Sequence, residues 1–290
     1  MKKLSQILML TLFIPCTVFC NILFVLYDSG ETIALTPVIN KLKERGEKVD
    51  VIKLNPSSLN RYELLSDERV LSYDPEVLVT GDASSAQLQF LKAFRGKAKT
   101  ICYYDNALEI GKIPYAQLIM DCAKEADIFL VPSKCAAQSS NFEGCRVVGN
   151  PDFDIFDENL SLYTERKNRV TYFGGYDNDY ERAFINFVKE FKDWHGEVVV
   201  RPHPRSDGTL ERKWVEGTNI IVGEKISTIE SVGISEVVVI HRSSVGTKAS
   251  IAGKKVIAID EHGEVKEIFQ SRDILGIPKY SVDKILSNLL

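Results

Sequence analysis

The chain has 290 residues, 44% of them hydrophobic and 26% charged, with a formal net charge of −4. That apolar content can fill real cores, and the length suits about two domains. The mild acidity argues against a general nucleic-acid binder, which would carry a basic face.

Lys2 and Lys3 precede an apolar run from Ile7 to Cys20. The run is short for a membrane span and Pro15 interrupts it. Residues 1–20 therefore read as a secretory signal peptide cleaved after Cys20 or Asn21, or else as an uncleaved hydrophobic segment that associates with a membrane. Phe19 directly before Cys20 fits a lipoprotein box poorly. Outside this leader stand Cys102, Cys122, Cys135 and Cys145, whose spacings match no zinc or redox pattern. Two disulfides are open to an exported chain, although Cys102 and Cys122 suit a buried strand and a helix as small hydrophobes.

From Ile22 the chain alternates strands with amphipathic helices. Ile22–Tyr27 reads as a strand, Asp28-Ser29-Gly30 as a turn and Thr32–Arg45 as a helix ended by Gly46. Strands follow at Val49–Leu54 and Val77–Thr80, a helix at Ser84–Phe94, a strand at Thr100–Tyr104, a helix at Ile113–Ala126 and a strand at Ile128–Val131. Arg146–Val148, followed by Gly149-Asn150-Pro151, closes a first half over residues 21–151. The polar stretch 152–168 reads as a linker. The pattern restarts in residues 169–290: strands at Val170–Phe173, Val198–Val200, Asn219–Val222, Val237–Ile240 and, last, Val256–Ile259, with helices at Asp179–Trp194, Ser244–Ala252 and the end of the chain. Strands alternating with helices of this length imply parallel βαβ units. The expected fold is α/β, two doubly wound Rossmann-like domains facing a cleft.

Three strand ends in the second half carry chemistry. The run Val198–Arg205 reads Val-Val-Val-Arg-Pro-His-Pro-Arg. Three valines suit a buried parallel strand, and the prolines stop it. Arg201 and His203 then fall at a carboxyl edge, where open α/β sheets bind ligands. Gly174-Gly175 follows another strand and would let backbone N–H groups approach an anion; a plain tight turn is the other reading. After Ile240 comes His241-Arg242-Ser243-Ser244-Val245-Gly246, in which either serine can cap the next helix and offer its positive end to phosphate. Gly174, Gly175, Arg201, His203, Arg242, Ser243, Ser244 and Gly246 together make a candidate anion site.

On these residues the second half resembles the donor-binding domain of GT-B glycosyltransferases. The nearest flavour is that of capsule-polysaccharide and glycerophosphate transferases and of UDP-N-acetylglucosamine 2-epimerases. Those families carry an Arg-Pro-His-Pro-like strand end, here Arg201–Pro204, and a Ser-Ser or Ser-Thr helix start followed by a Gly-Lys-Pro-Val-type strand entry, here Ser243-Ser244 and Gly253-Lys254-Lys255-Val256. The resemblance implies a UDP- or CDP-linked donor whose diphosphate lies on the Ser243-Ser244 helix start, a glycan or lipid acceptor on the first half, and a role in surface polysaccharide synthesis. It implies no metal and no cofactor. Two positions depart from it. Lys248 stands where the families place a Glu that binds the donor ribose, and a lysine cannot accept hydrogen bonds. Lys255 replaces the proline. Either the donor differs or the site is degenerate.

A transferase needs a general base near the acceptor hydroxyl. Asp28, Asp82 and Asp105 follow the first, third and fourth strands and are the candidates in that order, with His203 opposite. Each Asp also suits a turn or cap. Glu31 sits beside the first, and Glu109 reads as a solvated helix residue. His195 ends a helix, and His262 lies in a polar turn without a role. No metal-ligand spacing is present: Asp177-Asn178-Asp179 falls in a polar turn, with Asp179 as an N-cap. The leader and the donor disagree about compartment. The expected location is exported or membrane-associated, or cytoplasmic with the N-terminus uncleaved. The alternative function is an exported two-lobed solute-binding protein for a phosphorylated or anionic ligand.

Overall fold

A computed structural model describes residues 20–54, 73–113, 115–175 and 177–290. The expected leader, apart from Cys20, lies outside the described residues. Among the described residues no helix is long and apolar enough to cross a membrane.

The first half alternates as expected. It runs β1 (Asn21–Leu26), α1 (Ser29–Glu44), β2 (Lys48–Lys53), β3 (Val77–Thr80), α2 (Ser85–Phe94), β4 (Lys99–Tyr103), α3 (Ala116–Glu125), β5 (Ile128–Val131), α4 (Lys134–Ser140) and β6 (Cys145–Val147). The strands form one parallel sheet in the order β2-β1-β3-β4-β5-β6. Successive strand residues point to opposite faces, and both faces are covered. Leu23, Val25 and Leu78 meet Phe90 and Leu91 of α2 and Ile119 and Cys122 of α3. Ile22, Phe24 and Val79 meet Leu35, Val38 and Leu42 of α1. Full burial of both faces is why these strands read as continuous apolar runs. Cys102 and Cys122 are buried free thiols on a strand and a helix.

The second half follows with β7 (Arg169–Phe173), α6 (Tyr180–Phe191), β8 (Glu197–Arg201), α7 (Thr209–Val215), β9 (Ile221–Val222), α8 (Thr228–Ile234), β10 (Val237–Ile240), α9 (Ser244–Ile251), β11 (Lys255–Ile259) and β12 (Val265–Ile268). Its sheet runs β12-β11-β10-β7-β8-β9 and is parallel except for β12, which turns back along β11. The last strand is thus β12 rather than Val256–Ile259.

Two elements cross the expected boundaries. The stretch expected as a polar linker begins with a helix, α5 (Pro151–Leu160). Asn150 caps it and Pro151 opens it, and Phe153 and Phe156 are buried one turn apart. Phe153 packs with Ala107 of the first half and Ile251 of the second, so α5 joins the halves through a core contact. The chain also returns. After the short α10 (Arg272–Leu275), the final helix α11 (Ser281–Leu289) lays Ile285, Leu286 and Leu289 onto the α1 face of the first sheet. Arg272 fastens this return by bonding Asp154 and Asp157 of α5 and the Pro278 carbonyl. The final helix therefore shares its core with the first sheet.

Candidate functional site

In the first half, the ends of β1, β3 and β4 bring four carboxyl groups together. Asp28 caps α1, its Oδ1 accepting from the Glu31 amide at 2.9 Å. Glu31 is 2% exposed. Its carboxylate accepts from the Tyr27 amide and, at 2.7 Å, from the Gln87 side chain. It fills the space a Cβ at residue 81 would need, which is why glycine stands there. Gln87 in turn completes the capping box of α2 with Ser84 and bonds the Val25 carbonyl. Burial, only partly offset by the Tyr27 bond, pushes Glu31 up to about 8. Asp82 is buried with Oδ2 unpartnered; burial, then the charge of Asp105, holds it well above the usual carboxylate range. Asp105 lies against Gly30 at the start of α1. Burial and the Asp28 charge raise it to about 7, against the pull of Lys248.

These four do not share one role. Asp105 lines a cavity of about 540 Å³ between the halves, together with Ser29, Asn150, Asp152, Ser244 and Lys248. Asp28, the leading candidate from sequence, is occupied as a helix cap. Asp82 is buried and does not line this cavity. Glu109 pairs with Lys112 in solvent.

On the opposite wall, Ser243 caps α9, its Oγ accepting from the Val245 amide. Lys248 lies one turn further along the same helix and pairs with Asp152 of α5. Ser243, Ser244 and Arg242 also line an adjoining cavity of about 410 Å³, with Gly174, Gly175, Asp177, His203 and His241. Arg242 adopts a left-handed backbone, φ 49°, and its guanidinium meets Glu261 at 3.2 Å. His203 accepts the Arg205 amide on Nδ1, and burial lowers its proton affinity. Three sequence expectations change here. Arg201 turns away from both cavities: it donates to the Ile226 and Ser227 carbonyls, approaches Glu224 at 3.7 Å and lies over the Phe173 ring. Gly246 faces Ile240, where a Cβ would collide with the isoleucine side chain, so packing explains it. Asp179 occupies the N-cap position of α6 but makes no capping bond, pairing instead with Arg182.

Sequence reasoning passed over His241. It is 2% exposed, with Nδ1 at 3.1 Å from the Ile259 carbonyl and Nε2 at 3.3 Å from Asp177. The available signal was its place, one residue past the apolar run Val237–Ile240 and at the mouth of a capped helix. Asn150 was also missed as a site residue; its side chain caps α5 and donates to the Asp105 carbonyl. Among the described residues no group of three or more His, Cys, Asp or Glu is placed to hold a metal ion.

Two doubly wound six-stranded domains meeting across a cleft, with strand ends of both facing it, define the GT-B fold. The chain shares this fold with a UDP-GlcNAc 2-epimerase from Neisseria meningitidis bound to UDP-GlcNAc (TM-score 0.61, 11% identity, 81% of each chain covered). It is likewise similar to a UDP-N-acetylglucosamine 2-epimerase from Rickettsia bellii (0.61, 13%, covering 82% of this chain and 78% of that one). The glycosyltransferase SnogD from Streptomyces nogalater aligns at 0.54, with 12% identity over 89% of this chain and 84% of its own. At these identities the likeness is one of fold, and it is the fold that the Arg-Pro-His-Pro and Ser-Ser motifs led us to expect. No protein-family profile and no curated protein sequence matches the chain.

Proposed function

We propose that the chain is an enzyme acting on a nucleotide-activated sugar held in the cleft between its halves. The observation that carries the reading is Asp105, a carboxyl poised at about 7 on one wall of the cavity that α9 opens onto from the other. Such a group exchanges protons with substrate at neutral pH. The donor diphosphate would lie on the start of α9 beside Arg242, in keeping with the neighbours whose names include UDP-GlcNAc. The Lys248–Asp152 pair offers one donor group and one acceptor side by side, so the lysine does not by itself make the site degenerate. A solute-binding protein needs no base, and a raised carboxyl in the cleft favours the enzyme reading over it. The finer expectations, a UDP- or CDP-linked donor, a glycan or lipid acceptor, work in surface polysaccharide synthesis and export or membrane association through residues 1–20, belong to this proposal.

The test is thermal shift of the protein against UDP, CDP, GDP and UDP-GlcNAc, followed by release of free nucleotide from the conjugate that binds. Asp105→Asn should keep the nucleotide-dependent shift and lose turnover by roughly 10²- to 10⁴-fold. Parent turnover should follow Asp105, with a limb near pH 7. Absence of any nucleotide shift in the parent overturns the reading.

A further inference from the structure

The 410 Å³ cavity beside the cleft gathers two imidazoles, a guanidinium and a helix start around a single carboxylate. Its walls include His203, His241, Arg242 and the start of α9, and among its lining residues Asp177 carries the one carboxylate. His241 faces a carbonyl through one nitrogen and that carboxylate through the other. Both partners are hydrogen-bond acceptors, so the imidazole stands between a carbonyl and a carboxylate. Arg242 bonds Glu261 at 3.2 Å and lies 3.8 Å from the second oxygen of Asp177, so Asp177 is a secondary partner of the guanidinium. The contacts at 3.3 and 3.8 Å are long for charge-assisted bonds, which settle near 2.7–2.9 Å. Asp177 sits on the loop between β7 and α6 with its side chain 37% exposed, so it can leave without opening a core.

We propose that Asp177 is an internal stand-in for the ligand's phosphate, a tethered carboxylate that contacts His241 and lies beside Arg242 until a better anion displaces it. A carboxylate tied to a short loop competes at an effective concentration of millimolar or more. Singly charged anions at cellular levels then fail to enter. A diphosphate wins because it can bridge His241, Arg242 and the α9 start at once. This rests on the proposed seat of the donor diphosphate, but its test does not need a nucleotide.

The experiment is titration calorimetry of the protein with inorganic pyrophosphate and with orthophosphate, free of divalent cations, for the parent, Asp177→Asn and Asp179→Asn. Asp179 carries the same charge at 3.8 Å from Arg242 but does not line the cavity. Removal of a tethered competitor should tighten both ligands by one common factor in Asp177→Asn, about 3- to 10-fold, with less than a twofold change in Asp179→Asn. Three results overturn the proposal: weaker binding in Asp177→Asn, which would make Asp177 a positioning partner of His241; a gain that grows with ligand charge and recurs in Asp179→Asn; or no pyrophosphate binding in parent and variant alike. If the pyrophosphate pattern holds while UDP binds no better than pyrophosphate, the stand-in survives and the nucleotide reading falls.

Discussion

Replacing Glu31 by Gln should flatten the dependence of stability on pH. In the folded chain the Glu31 carboxyl titrates at about 8, against an ordinary value of 4.5. Below 4.5 it is protonated in both states and nothing is lost. Between 4.5 and 8 the unfolded chain gives up its proton while the folded chain holds it, so stability falls as pH rises through that window and levels off above it. Each tenfold difference in proton affinity is worth about 1.4 kcal/mol. The cost is then about 1 kcal/mol at pH 5 and about 3 kcal/mol at pH 7, a loss of about 2 kcal/mol between them. A Gln oxygen can accept the same bonds from Tyr27 and Gln87 without carrying the charge. The chain's two tryptophans, Trp194 and Trp214, both lie in the second half, so their fluorescence would miss the effect. Hydrogen exchange in peptides spanning β1 and α1, across urea at pH 5 and pH 7, reads the correct half. The parent should lose about 2 kcal/mol more than Glu31→Gln between the two pH values. Parallel losses would refute the account of Glu31 as a carboxyl kept neutral by burial.

Other perturbations test other parts of the argument. Lys248→Met removes the cation that pulls Asp105 down, so the pH limb of turnover should move upward; an unmoved limb would separate Lys248 from Asp105. Arg169 is 1% exposed and paired with Glu197 and Glu224. Arg169→Met removes the nearest cation of both acids while Arg201 and Arg166 stay within 4 Å of them, so it should cost about 1–2 kcal/mol, read by tryptophan fluorescence in urea, and no change would show the pairs to be idle. Leu286→Ala, at 2% exposure, should cost about 3 kcal/mol. Its effect should appear in exchange from β1 and α1 rather than from β7 and β8, although residue 286 follows both halves.

Much of the fold was legible because buried parallel strands are apolar on both faces and need no partner to be recognised. Val77–Thr80, Ile128–Val131 and Val237–Ile240 fall where their valines and isoleucines place them. The short helices α4, α7 and α8 were not legible. Seven residues each, they are too brief to show a periodic face. β12 escaped because Val-Lys-Glu-Ile lacks the apolar–polar alternation of a half-buried strand and is exposed at three of its four residues. In α5 the acidic surface hid a clear start, Asn150-Pro151, and the Phe153–Phe156 spacing. At the site, the helix start at Ser243 was legible because capping is local chemistry. The fate of Arg201 was not, since it depends on Glu224 and on carbonyls at 226 and 227, which the fold brings in from beyond β9. His241 was missed for the same reason: its partners at 177 and 259 come from two other strand ends.

The return of α11 to the first sheet also sets the order in which the chain can finish folding. Ile22, Phe24 and Leu35 share their core with Ile285, Leu286 and Leu289. On the ribosome the first half is synthesised whole long before those residues exist, and until they arrive one apolar patch of its sheet stays open to water. The second half can complete its core sooner, because the cluster around Tyr172, Phe184 and Phe187 draws on nothing later than Ile259. The domain made first is thus the domain completed last. In the interval its uncovered face is where a nascent chain would recruit a chaperone or stick to a neighbour.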